Sequence, residues 1–420
     1  MDKFEKTGEA GVQELWEKAE KRGVSRRQFM NLLSAGGTAA VVAAYGIPQA
    51  GRAAAKEELV TPSADRLHVK PLPKRWFISH GTSIEMAWEA KATDDSYLMD
   101  SGQFFVRNHT ATPILNPDEW QVKIDGAGVE NPLSLGYEDL LKMPTKTVTR
   151  FIECAGNGRA LYDKVLGKAG RGTQWTTGGY GIATWTGVPL SHVLDKAGLK
   201  DSAVSIMASG LDASGFEKPL PVDKALQDDT LIVIGMNGGP LPYDHGFPAR
   251  LLVPGWVGSY NVKWLGRLHV GTEQLYSKWN TRSYVLMGPE YPDPDGPPKG
   301  EIIREQTVKS VVAASWPGEL KAGKQRIVGY AWSPYAAIDK VEVSLDGGKS
   351  YKAAELSGPN IAAAGTRWEL PIDAEPGEMT ITPRAMDAKG NSQPPVADQV
   401  WNVKGYVWNA VIPHPVKVSA

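Results

Sequence analysis

The chain has 420 residues, more than one compact core usually holds, so two domains or one domain with a large appendage are expected. Hydrophobic residues make up 42% and charged residues 22%, which excludes a disordered, collagen-like or multi-span membrane chain. Lys+Arg at 46 against Asp+Glu at 47 gives a net charge of −1 and no general attraction to nucleic acid. One cysteine excludes an intrachain disulfide, a CxxC redox pair, a covalent CxxCH haem site and a Cys-rich zinc site.

At the N-terminus, a largely polar and charged stretch of 24 residues precedes Ser25-Arg26-Arg27-Gln28-Phe29-Met30, an uncharged Ala- and Gly-rich run to Gly51, and Ala53-Ala54-Ala55. An Arg pair before a weakly apolar run and a small-residue cleavage site resembles a twin-arginine export signal. Residues 1–55 are therefore expected to be a signal peptide of a periplasmic or otherwise exported protein. The competing reading is a membrane anchor, but Asn31, Ser34, Gly36, Gly37, Gly46 and Pro48 make a poor spanning helix.

Residues 75–287 mix short strands and helices without a βαβ period, the pattern of an α+β domain. Trp120 to Ile124 alternates as a half-buried strand should, Val148 to Glu153 reads as a strand running into a Gly-rich turn, and Leu231 to Ile234 as a short buried strand. Val188-Pro189-Leu190 predicts a helix entered through proline. The Pro-rich stretch 288–300 predicts a boundary. Beyond it, residues 301–420 read as an immunoglobulin-like β-sandwich, with strands over Arg326 to Ala331, Lys340 to Leu345, Glu378 to Ala385 and Val396 to Val403. A hairpin is predicted at Asp346-Gly347-Gly348.

Cys154 lies in Phe151-Ile152-Glu153-Cys154-Ala155-Gly156-Asn157-Gly158-Arg159. The residues leave two readings open, a buried inert thiol or a functional thiolate favoured by a nearby arginine. Seven histidines with no HExxH argue against a zinc hydrolase, whereas a Cys–His nucleophilic enzyme stays possible. Pro240 after the Gly238-Gly239 pair and the missing third glycine near Gly156 exclude P-loop and Rossmann readings. Arg107, Asn108, His109, Arg159, His245, Arg250 and Lys263 remain as loop donors suited to a phosphate-bearing ligand and a small oxyanion.

Phe104-Phe105-Val106-Arg107-Asn108-His109, Glu153-Cys154-Ala155-Gly156-Asn157, His245-Gly246-Phe247-Pro248-Ala249-Arg250, Val253-Pro254-Gly255-Trp256-Val257-Gly258 and Val262-Lys263-Trp264-Leu265-Gly266 together resemble the sulfite oxidase family of molybdenum enzymes. The resemblance implies an α+β chain in which a molybdopterin-binding catalytic domain precedes an immunoglobulin-like dimerisation domain. It implies molybdenum held by one molybdopterin and by the Cys154 thiolate, a soft donor suited to the metal. Pterin contacts are implied at Phe105, Arg107, Asn108, His109, Asp212, His245, Arg250, Asn261 and Lys263. Arg107 and Arg159 match anion-binding positions, Trp175 and Tyr284 match pocket positions, and Arg367 is the nearest candidate for a substrate arginine from the sandwich. Gly158 departs from the animal enzymes, which carry a second arginine there.

The implied reaction is oxidation of sulfite, or a related small sulfur oxyanion, with electrons passed to a periplasmic cytochrome c. The implied assembly is a homodimer or a heteromer with a cytochrome subunit. The molybdenum subunit of a sulfane dehydrogenase is the alternative within the family. A cofactor-free periplasmic binding protein is the alternative from another class, and nucleic acid is not an expected partner.

Overall fold

The computed structural model describes residues 67–92 and 96–420, and the expected export signal lies outside them. Among the described residues no helix is long and apolar enough to cross a membrane.

The catalytic half is built on two five-stranded sheets. In the first, the Lys146–Glu153 strand pairs antiparallel with Tyr180–Pro189, which pairs with Leu231–Met236, and that strand pairs with both Gly239–Pro240 and Arg250–Leu252. The second runs in the order Leu133–Gly136, Gln121–Asp125, Leu265–Gly271, Ser205–Gly210, Glu217–Pro221, with a parallel pairing between Gln121–Asp125 and Leu265–Gly271. The alternation read in Gln121–Asp125 places Val122 and Ile124 in the core. Alternation fails at the end of Lys146–Glu153, where Phe151, Ile152 and Glu153 are all buried, because both faces of the strand are covered there. The proline-entered helix is present as Leu190–Lys196.

The C-terminal half is a sandwich. One sheet holds Lys309–Val312, Gly323–Trp332, Gly365–Ala374 and Glu355–Ile361. The other holds Gly318–Lys321, His414–Ser419, Gly377–Asp387, Ile338–Ser344 and Lys352–Ala353. Ile327, Val341, Trp368, Ile381 and Val416 fill the space between them. The expected strand at Val396 to Val403 is not formed. Val396–Asp398 is a single 3₁₀ turn, and the chain then crosses the catalytic half as irregular backbone. Side chains stand in for a sheet partner there: Gln399 Oε1 accepts from the Asn409 and Ala410 amides at 2.8 and 2.9 Å, and Asn402 Oδ1 accepts from the Tyr406 amide at 2.9 Å. His414–Ser419 supplies the closing strand instead.

The two halves share a core. Phe151, Tyr180 and Trp185 pack in one cluster with Tyr330, Trp332 and Trp408. The Tyr180 and Trp332 rings stack with centroids 3.8 Å apart and planes 18° apart.

Candidate active site and cofactor pocket

Cys154 sits where Lys146–Glu153 ends and the chain turns into the short helix Arg159–Lys164. Its amide donates to the Gly179 carbonyl at 2.8 Å, and its carbonyl accepts from the Asn157 amide at 2.9 Å. Asn157 clamps the turn from inside, with Nδ2 donating to Glu153 Oε1 and Oδ1 accepting from the Gly179 amide, both at 2.9 Å. Gly158 has φ of +87°, and a Cβ there would lie 2.9 Å from Trp408 Cβ. Positive φ and the indole together hold this position to glycine, which accounts for the departure noted in the sequence.

The thiol opens on a cavity between the loops. Phe105, Arg107, Asn108, His109, Asp212, His245, Arg250, Asn261, Lys263 and Tyr284 all line it with Cys154, so loops far apart in sequence converge as expected. Phe216 and Ser259 also line it and carried no signal in the sequence reading. Burial pushes the Cys154 thiol up, while Arg107 and Arg159 pull it back toward the thiolate.

Cations dominate the far end of the cavity. Lys263 Nζ donates to Asn108 Oδ1 and to the Asp244 carbonyl, and burial together with the Arg250 charge holds it well below the usual lysine range. Lys70 is lowered to about 7 by burial, and burial with Lys70 and Lys263 keeps His245 neutral. Burial, then Arg107, lowers His109 to about 3. Arg250 donates to the His245 and Asn261 carbonyls at 3.0 Å each, lies over the Trp185 ring, and is lowered to about 9 by burial. Its Nε, and the buried Ser259 hydroxyl, have no partner among the described residues. Buried donors left unpaired and cations packed together are costly unless an anionic ligand completes them.

Tyr284 stands between this end and the thiol. Its φ of +57° is rare for a bulky residue and places the phenol against His109, Oη to Nε2 at 3.5 Å. Burial holds the phenol protonated far above its ordinary range.

Three expected site residues fall outside the cavity lining. Arg159 is buried, with Nε donating to the Lys404 carbonyl and Nη1 to the Thr173 carbonyl, both at 2.6 Å, and its charge still reaches Cys154 and Tyr284. Trp175 packs behind Phe105, ring centroids 6.1 Å apart, and so supports the wall without facing the space. Arg367 pairs with Glu369 at 2.8 Å. Strand alternation explains its placement: Trp368 points into the sandwich, so Arg367 points out, beside Tyr330 on the neighbouring strand. What the C-terminal half sends toward Cys154 is the segment around Tyr406, whose Val407 amide donates to the Ala155 carbonyl at 2.8 Å.

Family models match in the same order as the two halves: an oxidoreductase molybdopterin-binding domain over residues 109–279 and a Mo-co oxidoreductase dimerisation domain over residues 300–419. Sulfite oxidase of Gallus gallus is 34% identical over 339 residues, covering 76% of this chain and 73% of that protein. The chain belongs to the sulfite oxidase family of molybdopterin oxidoreductases. Mitochondrial sulfite oxidase of Rattus norvegicus is 37% identical over 336 residues, and the match spans 61% of that protein's length. The crystal structure of the sulfane dehydrogenase SoxCD from Paracoccus pantotrophus superposes with a TM-score of 0.71 at 31% identity, covering 80% of this chain and 87% of that one.

Mo-molybdopterin is the cofactor of this family, and the cavity fits it. The unpaired Arg250 Nε and Ser259 hydroxyl, with Lys263 and His245 nearby, suit a phosphorylated organic group, and Cys154 would supply the soft donor at the other end. Among the described residues no three His, Cys, Asp or Glu side chains gather as a metal site.

Proposed function

We propose that this chain oxidises sulfite to sulfate and passes the electrons to a separate protein. The observation that carries this reading is the Cys154 thiol opening on the cavity with Arg107 and Arg159 both within electrostatic reach of it and Tyr284 alongside. Bound Mo-molybdopterin supplies a two-electron oxygen-transfer centre. Overall, sulfite and water give sulfate, two protons and two electrons. Arg107 and Arg159 bring a dianion to the thiol end, where the low-dielectric surroundings strengthen their pull. Tyr284 keeps its proton and can donate it in a hydrogen bond to the reacting oxyanion, with neutral His109 Nε2 lying 3.5 Å from the phenol oxygen.

The superposition on SoxCD favours a second reading, oxidation of a sulfane sulfur by a molybdenum subunit paired with a cytochrome. Steady-state assays of the purified holoenzyme with sulfite and with thiosulfate, using cytochrome c or ferricyanide as acceptor, separate the two. Sulfite turnover with cytochrome c reduction is expected. Turnover of thiosulfate alone would move the assignment to the sulfane branch, and turnover of neither would remove it.

The proposed setting is the periplasm, with a cytochrome c as acceptor and a homodimer formed through the sandwich. Arg26 and Arg27 are the proposed export address, apart from the site. Replacing both by lysine is expected to leave active, molybdenum-loaded enzyme in the cytoplasmic fraction. Normal export of that variant, followed by fractionation and activity assay, would refute the signal.

A further inference from the structure

The crossing segment of the C-terminal half is tied to the catalytic turn at two points. Val407 bonds to Ala155, the residue after Cys154, and the Lys404 carbonyl accepts from Arg159 Nε. Tyr406 lies between these ties and is 8% exposed. Its amide donates to Asn402 Oδ1, and its carbonyl accepts from Asn402 Nδ2 and the Tyr162 hydroxyl, all three at 2.9 Å. Gly405 and Val407 flank it with φ of +55° and +47°. Positive φ at a valine costs energy and persists only where neighbouring contacts fix the chain. The backbone of Tyr406 is thus held in one place.

Its ring contacts the two groups on which anion handling depends. The Tyr284 ring stacks on it, centroids 5.4 Å apart and planes 18° apart, and the Arg159 guanidinium lies over it at 5.1 Å. Arg159 has little freedom elsewhere: Nε and Nη1 are committed to carbonyls, and a Cβ at Gly156 would lie 2.5 Å from its Nη2. The Tyr406 face therefore completes the seat of the guanidinium.

We propose that Tyr406 is a positioning residue of the anion site, its ring setting the separation between the Arg159 guanidinium and the Tyr284 phenol and so the affinity for a small sulfur oxyanion. This rests on the oxyanion-oxidase reading, and it gives the C-terminal half a direct part in substrate recognition. A ring touching a cation on one hand and an aromatic on the other contributes through cation–π and stacking interactions that an aliphatic side chain lacks.

The test compares Tyr406→Phe with Tyr406→Leu in the full-length holoenzyme. Two quantities are read beside the melting temperature: the dissociation constant for sulfate, by equilibrium dialysis, and KM against kcat for whichever of sulfite and thiosulfate the parent oxidises. Tyr406→Phe keeps the ring and is expected to stay within about threefold of the parent in both. Tyr406→Leu is expected to weaken sulfate binding and raise KM by roughly ten- to thirtyfold, with kcat falling less. Unchanged sulfate affinity and KM in Tyr406→Leu, with only a lower melting temperature, would overturn the proposal. If the leucine variant does not fold, Tyr406→Met, flexible and closer in volume, is read by the same two outcomes. A parent that oxidises neither anion refutes the functional reading, and the sulfate measurement still decides the role of Tyr406.

Discussion

Replacing Cys154 by serine is expected to abolish turnover and to leave the melting temperature within a few degrees of the parent. The substitution changes one atom. The backbone ties that shape the turn, Cys154 to Gly179 and Asn157 to Cys154, do not involve the sulfur, and the Asn157 clamp to Glu153 and Gly179 is untouched. What is lost is the soft thiolate. A serine hydroxyl is a harder donor and stays protonated at neutral pH, so it replaces the thiolate poorly at a metal. Loss of a residue that merely supports a metal ligand costs about 10- to 100-fold, and loss of the ligand itself is expected to exceed that. Pterin contacts elsewhere in the cavity remain, so molybdenum content by mass spectrometry is expected to fall less than kcat/KM. Parental turnover by a serine variant that contains molybdenum would remove Cys154 from the metal site.

The largest stability change is expected at Lys309. Its ammonium, 1% exposed, meets Glu153 Oε1 in the interior between the halves, where Asn157 Nδ2 shares the same oxygen and Trp332 Nε1 donates to Oε2 at 2.8 Å. Lys309→Met leaves the Glu153 carboxylate buried without its cation, a change that typically costs about 3–5 kcal/mol. For a chain of this size that lowers the melting temperature by roughly 5 °C. Adding Glu153→Gln to Lys309→Met removes the stranded charge and keeps one carbonyl oxygen as acceptor for either Trp332 or Asn157, so it is expected to recover part of the loss. A double-mutant cycle by calorimetry checks both statements. If Lys309→Met alone melts with the parent, the pair contributes nothing to holding the strand end that carries Cys154.

The cavity residues were legible in the sequence because they travel in short motifs, and a motif carries its local geometry with it. Arg107-Asn108-His109 and Cys154 through Arg159 each sit on one strand end and one turn. Side-chain facing was harder to read. Arg367 and Trp368 are neighbours, and a step of one residue in a strand exchanges the interior for the other face. Trp175 is aromatic, adjacent to the turn and buried, yet one layer too deep. Least legible was the segment 396–412. The valines and tryptophan of Val396 to Val403 suggested a strand, but the segment's own Gln399 and Asn402 side chains, together with backbone groups of Ala155, Arg171 and Met287, satisfy the chain as irregular backbone. No local pattern distinguishes Tyr406 from an ordinary core tyrosine.

The contacts that finish the turn at Cys154 are also late in the order of synthesis. Lys309 and Trp332 follow Glu153 by 156 and 179 residues, and the ties from Lys404 and Val407 come from the last stretch of the chain. Phe105, Asn108, Arg250 and Lys263 leave the ribosome before any of them. The cation-rich end of the cavity can therefore assemble from the nascent chain, while the thiol end stays open until the segment from Lys404 to Val407 has been made. A polypeptide lacking residues 397–420 would retain most of the cation-rich wall and lose the Lys404 carbonyl and the Tyr406 ring that seat Arg159.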